Sequence, residues 1–268
     1  MSGLKVGIVG CAGRMGRMLA AEVAATEGCA LAGGIEAPGH EAVGADLGRL
    51  AGLDALGIAV GDDAPTLFAD CEAVIDFTTP ALVAENSRLA AQGKTIYVLG
   101  TTGLDAAQDK ALELAARHTA IIRAPNMSLG VNVLIDLVER LAGQLDDAFD
   151  IEIVEMHHRH KVDAPSGTAL ALGEAAARGR GVALDEVAQH ARQGHTGARR
   201  RGDIGFAVLR GGDVPGDHTV VFAADGERIE LTHRAGGRHI FARGAVKAAL
   251  WGRGRPPGIY SLRDVLAG

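Results

Sequence analysis

The sequence predicts a doubly wound α/β fold of the Rossmann type with a parallel sheet, joined to a smaller α+β domain with a mixed sheet. Three observations carry this. Short apolar runs alternate with Ala- and Leu-rich helical stretches through the first half of the chain. A Gly-x-x-Gly-x-x-Gly turn follows the first of those runs. The pattern then changes after about residue 127. Strands alternating with helices make a parallel sheet covered on both faces. The predicted domains are a dinucleotide-binding domain over residues 1–127, to which a C-terminal segment 238–268 returns, and a substrate-binding and oligomerisation domain over 128–237.

Taken in order, residues 4–9 are almost wholly apolar, as in a strand buried on both faces. The turn from Gly10 to Gly16 opens a helix over 17–25. A second apolar run, 30–35, ends at Glu36, 20 residues past Gly16. Further strands are expected at 57–60, 73–75, 95–99 and 120–122, with helices at 81–92 and 104–117. Each strand stops at a polar or Gly-rich loop, including Asp76-Phe77-Thr78-Thr79-Pro80, Gly100-Thr101-Thr102-Gly103 and Ala124-Pro125-Asn126-Met127-Ser128. Ligands of an open parallel sheet bind outside the carboxyl ends of its strands, so these loops are expected to line one crevice. Beyond them come a helix at 131–141, a strand at 149–156, a helix at 169–177 and a strand at 204–209. A hairpin, 219–222 and 228–232, turns at Asp225-Gly226. A last helix, 240–251, is broken by Arg255-Pro256-Pro257-Gly258.

Composition narrows the function. Hydrophobic residues make up 47% of the chain, which excludes disorder, and aromatics only 3%, so Ala, Val, Leu and Ile must build the core. No apolar run approaches the roughly 20 residues that span a bilayer. The start, Met1-Ser2-Gly3-Leu4-Lys5-Val6, runs straight into a strand without a signal-peptide layout. A cytoplasmic protein with no membrane partner is expected. The net charge of -6 argues against nucleic acid. Arg199-Arg200-Arg201 reads as a solvated loop, with a phosphate or substrate contact as the alternative. Cys11, Cys29 and Cys71 have neither disulfide nor metal-ligand spacing and are expected to be reduced thiols.

Two motifs carry chemistry. In the glycine turn, backbone N–H groups and the helix dipole would face a pyrophosphate; the alternative is a purely structural turn. Glu36 would accept hydrogen bonds from ribose hydroxyls. Ala37 beside it offers no cation to a 2′-phosphate, so NADH is favoured over NADPH. The second motif runs from His157 to Thr168. If the strand continues, its period places His157, Arg159 and Lys161 on one face and His158 and His160 on the other. Zinc is the rival reading of clustered histidines. Only Asp163 adds a carboxylate at ligand spacing, and no metal is expected. The chain has five lysines against 22 arginines, so a lysine at 161 is informative. Lysine can release a proton where arginine cannot, which makes Lys161 a proton donor or a point-charge anchor. Ser166 suits a helix N-cap, and the N–H groups around Gly167 and Thr168 suit a substrate carboxylate. Pro165-Ser166-Gly167 lacks the Gly-x-Ser-x-Gly elbow of a serine nucleophile. His40, His118, His190, His195, His218, His233 and His239 are scattered and read as structural or surface residues.

These residues resemble the 4-hydroxy-tetrahydrodipicolinate reductase (dihydrodipicolinate reductase) family. The likeness rests on Gly10-Cys11-Ala12-Gly13-Arg14-Met15-Gly16, Asp76-Phe77-Thr78, Gly100-Thr101-Thr102-Gly103, Ala124-Pro125-Asn126 and the run from Glu155 to Ala169. It continues through Gly194-His195-Thr196-Gly197 and Asp264-Val265-Leu266 and so covers nearly the whole chain. It implies NAD(P)H-dependent reduction of a small dicarboxylate, 4-hydroxy-tetrahydrodipicolinate, in lysine and diaminopimelate synthesis, by a homotetramer. By position, His157 resembles the acid/base and Lys161 the proton donor. His158, Gly167 and Thr168 resemble substrate contacts. Gly10, Cys11, Ala12, Gly13, Arg14, Met15, Glu36, Gly100, Thr101, Thr102, Ala124, Pro125, Asn126 and Met127 resemble cofactor contacts. Ala37 and Met127 depart from the family, where some members carry a base and a Phe is more usual. Two rivals remain: an amino-acid dehydrogenase of similar layout, and a regulatory protein that binds NADH without turnover.

Overall fold

The chain is described here from a computed structural model, which covers residues 3–268; Met1 and Ser2, read above as the lead into the first strand, lie outside the described residues. In chain order the elements are β1 (Leu4–Val9), α1 (Arg14–Ala25), β2 (Cys29–Ile35), α2 (Leu47–Leu50), α3 (Ala64–Asp70), β3 (Ala73–Asp76), α4 (Pro80–Gly93), β4 (Ile96–Leu99), α5 (Ala106–Ala115) and β5 (Ala120–Arg123). Then follow α6 (Leu129–Gln144), β6 (Asp150–His157), α7 (Gly167–Arg180), α8 (Leu184–Val187), β7 (Ala188–Gln189), β8 (Ile204–Arg210), β9 (Asp217–Ala224) and β10 (Glu227–Arg234). The chain ends with α9 (His239–Gly252), β11 (Gly258–Tyr260) and α10 (Leu262–Ala267). It divides into two units, Met1–Leu129 with Arg238–Gly268, and Gly130–Gly237.

The first unit holds a six-stranded parallel sheet in the order β11-β5-β4-β3-β1-β2. Alternation along each strand sends side chains to two separate cores. Leu4, Val6, Ile8, Ile75, Val98 and Ile122 meet α1, α9 and α10 on one face. Val9, Val74, Tyr97, Leu99 and Ile121 meet α3, α4 and α5 on the other. The cores are built from small aliphatic residues, as the aromatic-poor composition requires. Asp105 and Gln108 form a capping box at the start of α5, and Pro80 opens α4, where its missing N–H costs nothing. The C-terminal segment belongs to this unit: β11 extends the sheet beyond β5, and α9 packs on β3, β4 and β5.

One expected strand, 57–60, does not form. Asp46 takes the N–H groups of Leu56 and Gly57 with its carboxylate, at 3.2 and 2.7 Å, and Gly57 sits at φ +72°. What remains of the expected strand is an isolated antiparallel bridge between Asp46 and Ala59, followed by a parallel bridge between Ile35 and Gly61. The short elements α2, α3, α8, β7, β11 and α10 were not expected, because two to seven residues show no clear period.

The second unit holds a five-stranded mixed sheet, β10-β9-β6-β8-β7, in which β6 runs parallel to β8 and antiparallel to β9. One face carries Ile151, Ile153, Ile204, Phe206, Val220 and Phe222 against α6 and α7. The opposite face carries Val154, Met156 and Leu209 in partly exposed positions. Arg199, expected in a solvated loop, is instead fastened to this sheet. It pairs with Asp150 at 2.7 Å and Glu152 at 2.9 Å and donates to the carbonyls of Ile151 and Asp203. Arg200 and Arg201 do remain exposed.

The tightest backbone approach in the first unit is at Gly244 of α9. A Cβ there would stand 1.7 Å from the Met127 carbonyl oxygen. Gly244→Ala is expected to lower stability by about 2 kcal/mol or more, because a rigid carbonyl cannot yield as a flexible side chain would. Chemical denaturation of the variant checks it; unchanged stability would mean that α9 shifts freely.

Candidate active site

In the first unit the loops after β1, β2, β3, β4 and β5 lie at the carboxyl ends of parallel strands. Chain order reverses about β1, which is flanked by β2 and β3 and so marks the switch point where such sheets bind ligands. Gly10 sits at φ +70°, with the methyl of Thr78 so close that a Cβ would meet it at 2.7 Å. A Cβ at Gly16 would meet the Gly10 carbonyl at 2.1 Å. Only glycine therefore lets α1 start so close beneath the loop. Glu36 Oε1 accepts the Ala12 N–H at 2.7 Å, so this carboxylate closes the turn as well as ending β2. Arg14, the first residue of α1, is exposed. Burial first, and then the Glu36 carboxylate, push the Cys11 thiol up to about 12, so Cys11 is a packing residue and not a nucleophile.

The Asp76 loop is held from within. Asp76 is fully buried and its carboxylate accepts four hydrogen bonds: from the Thr78 N–H and hydroxyl at 2.9 and 2.6 Å, Asn86 Nδ2 at 2.8 Å and the Tyr97 hydroxyl at 2.7 Å. Gly100 faces the Phe77 ring, which a Cβ would strike at 2.5 Å. The next residue, Thr101, is buried and its hydroxyl has no hydrogen-bond partner. An orphaned buried hydroxyl at a strand's carboxyl end calls for an outside group. Together with the glycine turn and Glu36, it fits a dinucleotide. Thr102 and Pro125 are exposed, Met15 is partly buried, and Ala124 and Met127 lie in the core beneath α9. Asn126 Oδ1 accepts the Ser128 N–H at 2.8 Å.

In the second unit, alternation along β6 turns Glu155 and His157 inward after Ile151 and Ile153. Glu155, only 1% exposed, is met by Arg210 with two N–H groups at 2.8 and 3.0 Å, by His157 Nδ1 at 2.6 Å and by the Ser166 N–H at 3.1 Å. Burial alone would raise its carboxyl, but these donors outweigh burial and hold it below the usual carboxylate range. His157 Nδ1–H is thereby committed to Glu155, and Nε2 is left as the nitrogen that can exchange a proton. A Cβ at Gly216 would lie 2.9 Å from that Nε2, so glycine leaves room for the ring there. His218 crosses the His157 ring edge-on with centroids 5.1 Å apart, and its Nε2 shares a 3.0 Å hydrogen bond with Ser166 Oγ. Ser166 also caps α7 by accepting the Ala169 N–H. Gly167 and Thr168 form the first turn of that 14-residue helix, with Gly167 exposed.

The strand does not carry on to Lys161. It stops at His157, where His158 and Arg159 donate to the carbonyls of Val214 and Gly212 and Lys161 N–H turns back to the His158 carbonyl. Lys161 thus comes near through a turn and not on a shared strand face. Its Nζ pairs with Asp163 at 2.8 Å. His158 is partly buried, its ring 6.2 Å from that of His160. Among the described residues no three His, Cys, Asp or Glu side chains are grouped as a metal site needs. Sequence reasoning missed the roles of Glu155, Arg210 and His218. A carboxylate and a histidine two residues apart at inward positions of an alternating strand was a usable signal for Glu155. Nothing local marks Arg210 or His218, which lie 55 and 52 residues from their partners.

A Rossmann-like sheet with a dinucleotide crevice, paired with a mixed-sheet unit bearing a buried carboxylate–histidine–arginine cluster, defines a pyridine-nucleotide oxidoreductase. The family models for the N-terminus and C-terminus of dihydrodipicolinate reductase match residues 4–127 and 130–266. The chain belongs to the dihydrodipicolinate reductase family. It is 58% identical over 259 residues to 4-hydroxy-tetrahydrodipicolinate reductase of Ruegeria pomeroyi, covering 97% of this chain and 96% of that one. It is also 58% identical over 264 residues to the enzyme of that name from Parvibaculum lavamentivorans, covering 98% and 97%. A dipicolinate-bound dihydrodipicolinate reductase from a Paenisporosarcina species shares its fold with a TM-score of 0.78 at 24% identity, covering 98% and 99%.

The buried His218 gives the second unit a pH signature. Burial first, then the neighbouring His157, push its imidazole down to about 4 from an ordinary 6.5. Between these values the unfolded chain takes up a proton that the folded chain refuses. Stability is therefore full above pH 6.5 and falls as pH drops toward 4, by about 3 kcal/mol in all. Glu155, held low, contributes fully above its ordinary carboxylate value and is lost only as pH falls through its lower folded value. Urea unfolding followed from pH 7 to pH 4 should show this loss, and His218→Gln should flatten it. An equal slope in the variant would assign the pH dependence to other groups.

Proposed function

We propose that this chain reduces 4-hydroxy-tetrahydrodipicolinate to tetrahydrodipicolinate with loss of water, using a nicotinamide dinucleotide, in diaminopimelate and lysine biosynthesis. The observation that carries this is the full-length 58% identity to two reductases of that name. Loss of water leaves a conjugated imine. A bound nicotinamide dinucleotide supplies hydride to C4 of that imine, and the neighbouring carbon must then take a proton. The protein's share is to hold the dicarboxylate, place it and deliver that proton.

The N–H groups at the start of α7, Gly167 and Thr168, together with His158, bind carboxylate. This is supported by the N-terminal helix dipole and the Ser166 cap that fixes the turn. Lys161 exchanges its Asp163 partner for the substrate and gives the proton. His157, oriented by Glu155, is the acid/base that serves the site through Nε2. In the first unit the turn from Gly10 to Met15, Glu36, Gly100 to Thr102 and Ala124 to Met127 hold the dinucleotide. Glu36 takes the ribose hydroxyls, and with Ala37 beside it NADH is preferred over NADPH. The partly exposed apolar face of the second sheet, with Leu209 49% exposed, suits a homotetramer built through that sheet. We place the enzyme in the cytoplasm on its biosynthetic role; no helix among the described residues is long and apolar enough to cross a membrane.

A spectrophotometric NADH-consumption assay, with substrate made in situ from pyruvate and aspartate semialdehyde, tests the activity. Binding of NADH without turnover would support the regulatory rival, and oxidation of an amino acid with NAD the dehydrogenase rival. In that assay Lys161→Met should lower kcat by about 10²–10⁴-fold with NADH binding kept. Lys161→Arg should not rescue it, since guanidinium holds its proton at working pH; near-normal kcat in that variant would reduce Lys161 to a charge anchor. Ala37→Arg should improve use of NADPH by about 1–2 kcal/mol through a charge-assisted hydrogen bond to the 2′-phosphate. A wild-type enzyme that strongly prefers NADPH would overturn the assignment to NADH.

A further inference from the structure

A cavity in the first unit lies away from the carboxyl ends of the strands. It lies at the opposite edge of the same sheet, against Leu4 and Lys5 of β1, Ile96 of β4 and Ala120 of β5, and measures about 740 Å³. That volume is in the range of sites for small metabolites. Its rim carries Lys5, Lys94, Arg253 and Arg255 together with His118, against Asp70 and Glu72. In a chain of net charge -6, a surplus of cations here is unexpected.

The carboxylates are only partly available to balance these cations. Glu72 accepts the Lys5 backbone N–H with one oxygen, at 3.0 Å, and faces Arg253 with the other, at 3.5 Å. Asp70 is exposed. Lys5, Lys94 and His118 form no ion pair among the described residues. Arg255 is laid over the Trp251 ring, its guanidinium carbon 4.1 Å from the ring centroid, which orders it before any ligand arrives.

Lys94 supplies an independent pointer. It ends α4 in the left-handed conformation at φ +53°, the one non-glycine among the described residues with positive φ. Helices commonly end at such a position with glycine, which adopts it without strain. A lysine kept there at a backbone cost, in a chain with five lysines of which two line this cavity, points to a use for its ammonium.

We propose that this cavity binds a compact polyanion, a polyphosphate or a polycarboxylate, at a site separate from the dinucleotide crevice. Lys5, Lys94 and Arg255 carry the charge, and Asp70 sets an upper limit on how much negative charge is accepted.

Calorimetric titration of the whole enzyme at saturating NADH, which keeps probes out of the crevice, tests this. Inorganic tripolyphosphate and citrate form the two arms, with sodium chloride at matched ionic strength as the control. One equivalent should bind in at least one arm, and the tighter arm names the phosphate or the carboxylate source. Lys94→Gly should weaken that binding at least tenfold while raising Tm, because glycine relieves the left-handed strain. Asp70→Asn should tighten it, and Lys110→Ala and Lys247→Ala, on lysines away from the cavity, should leave it unchanged. No binding beyond the chloride control in either arm, or binding that survives Lys94→Gly, would overturn the proposal.

Discussion

Glu155 holds a full negative charge at 1% exposure, and the second unit is arranged so that four donors meet it. An isolated carboxylate in that position would be neutralised or would unfold its surroundings. The donors come from three places: the end of β6, the end of β8 and the cap of α7. Satisfying one charge therefore fixes the relative positions of a strand end, a neighbouring strand and a helix start. Removing one partner from such a buried set typically costs about 3–5 kcal/mol, so the arrangement cannot drift. The ring orientation of His157 and the capped start of α7 follow from it.

The first unit repeats the device with Asp76. Its carboxylate is fully buried at the carboxyl end of β3 and again receives four hydrogen bonds, here from its own loop, from α4 and from β4. Thr78, fixed by two of those bonds, rests its methyl against Gly10. The same charge raises the Tyr97 hydroxyl well above its ordinary range, after the larger effect of burial, so that it stays a donor. A buried acid thus gives a loop the rigidity of the sheet behind it. Both units place their polar chemistry at strand ends and pin it with one charge.

Small residues decide how closely the backbone layers can approach. Gly16 lets α1 begin against the first turn, and Gly252 of α9 fits between Ile96 and Ile122. In the second unit, a Cβ at Gly179 of α7 would strike the Glu139 carbonyl of α6 at 2.3 Å. An aromatic-poor core can stay dense only if helices lie near their sheets and each other, and glycine and alanine at the contact make that approach. The low aromatic content and the abundance of glycine are one feature of this fold seen twice.

The sequence by itself determined the fold class, nearly every long element, the glycine turn with Glu36, and the run from His157 to Thr168. These are properties of neighbouring residues: an apolar period, a turn chemistry, a cap such as Ser166 before α7. The tertiary structure decided what the sequence period could not. It ended β6 at His157, because carbonyls of Gly212 and Val214 capture the next N–H groups. It reduced the expected strand at 57–60 to isolated bridging, with the Asp46 carboxylate holding the N–H groups of Leu56 and Gly57 at its start. It drew Arg210, Arg199 and His218 from anonymity to partners about 50 residues away. A side chain's charge is written in the sequence, but the burial that makes a charge demand a partner exists only once distant strands pair. For that reason the histidine and the lysine of the proposed site could be read in advance, and the buried acid that orients the histidine and the arginine that pairs with that acid could not.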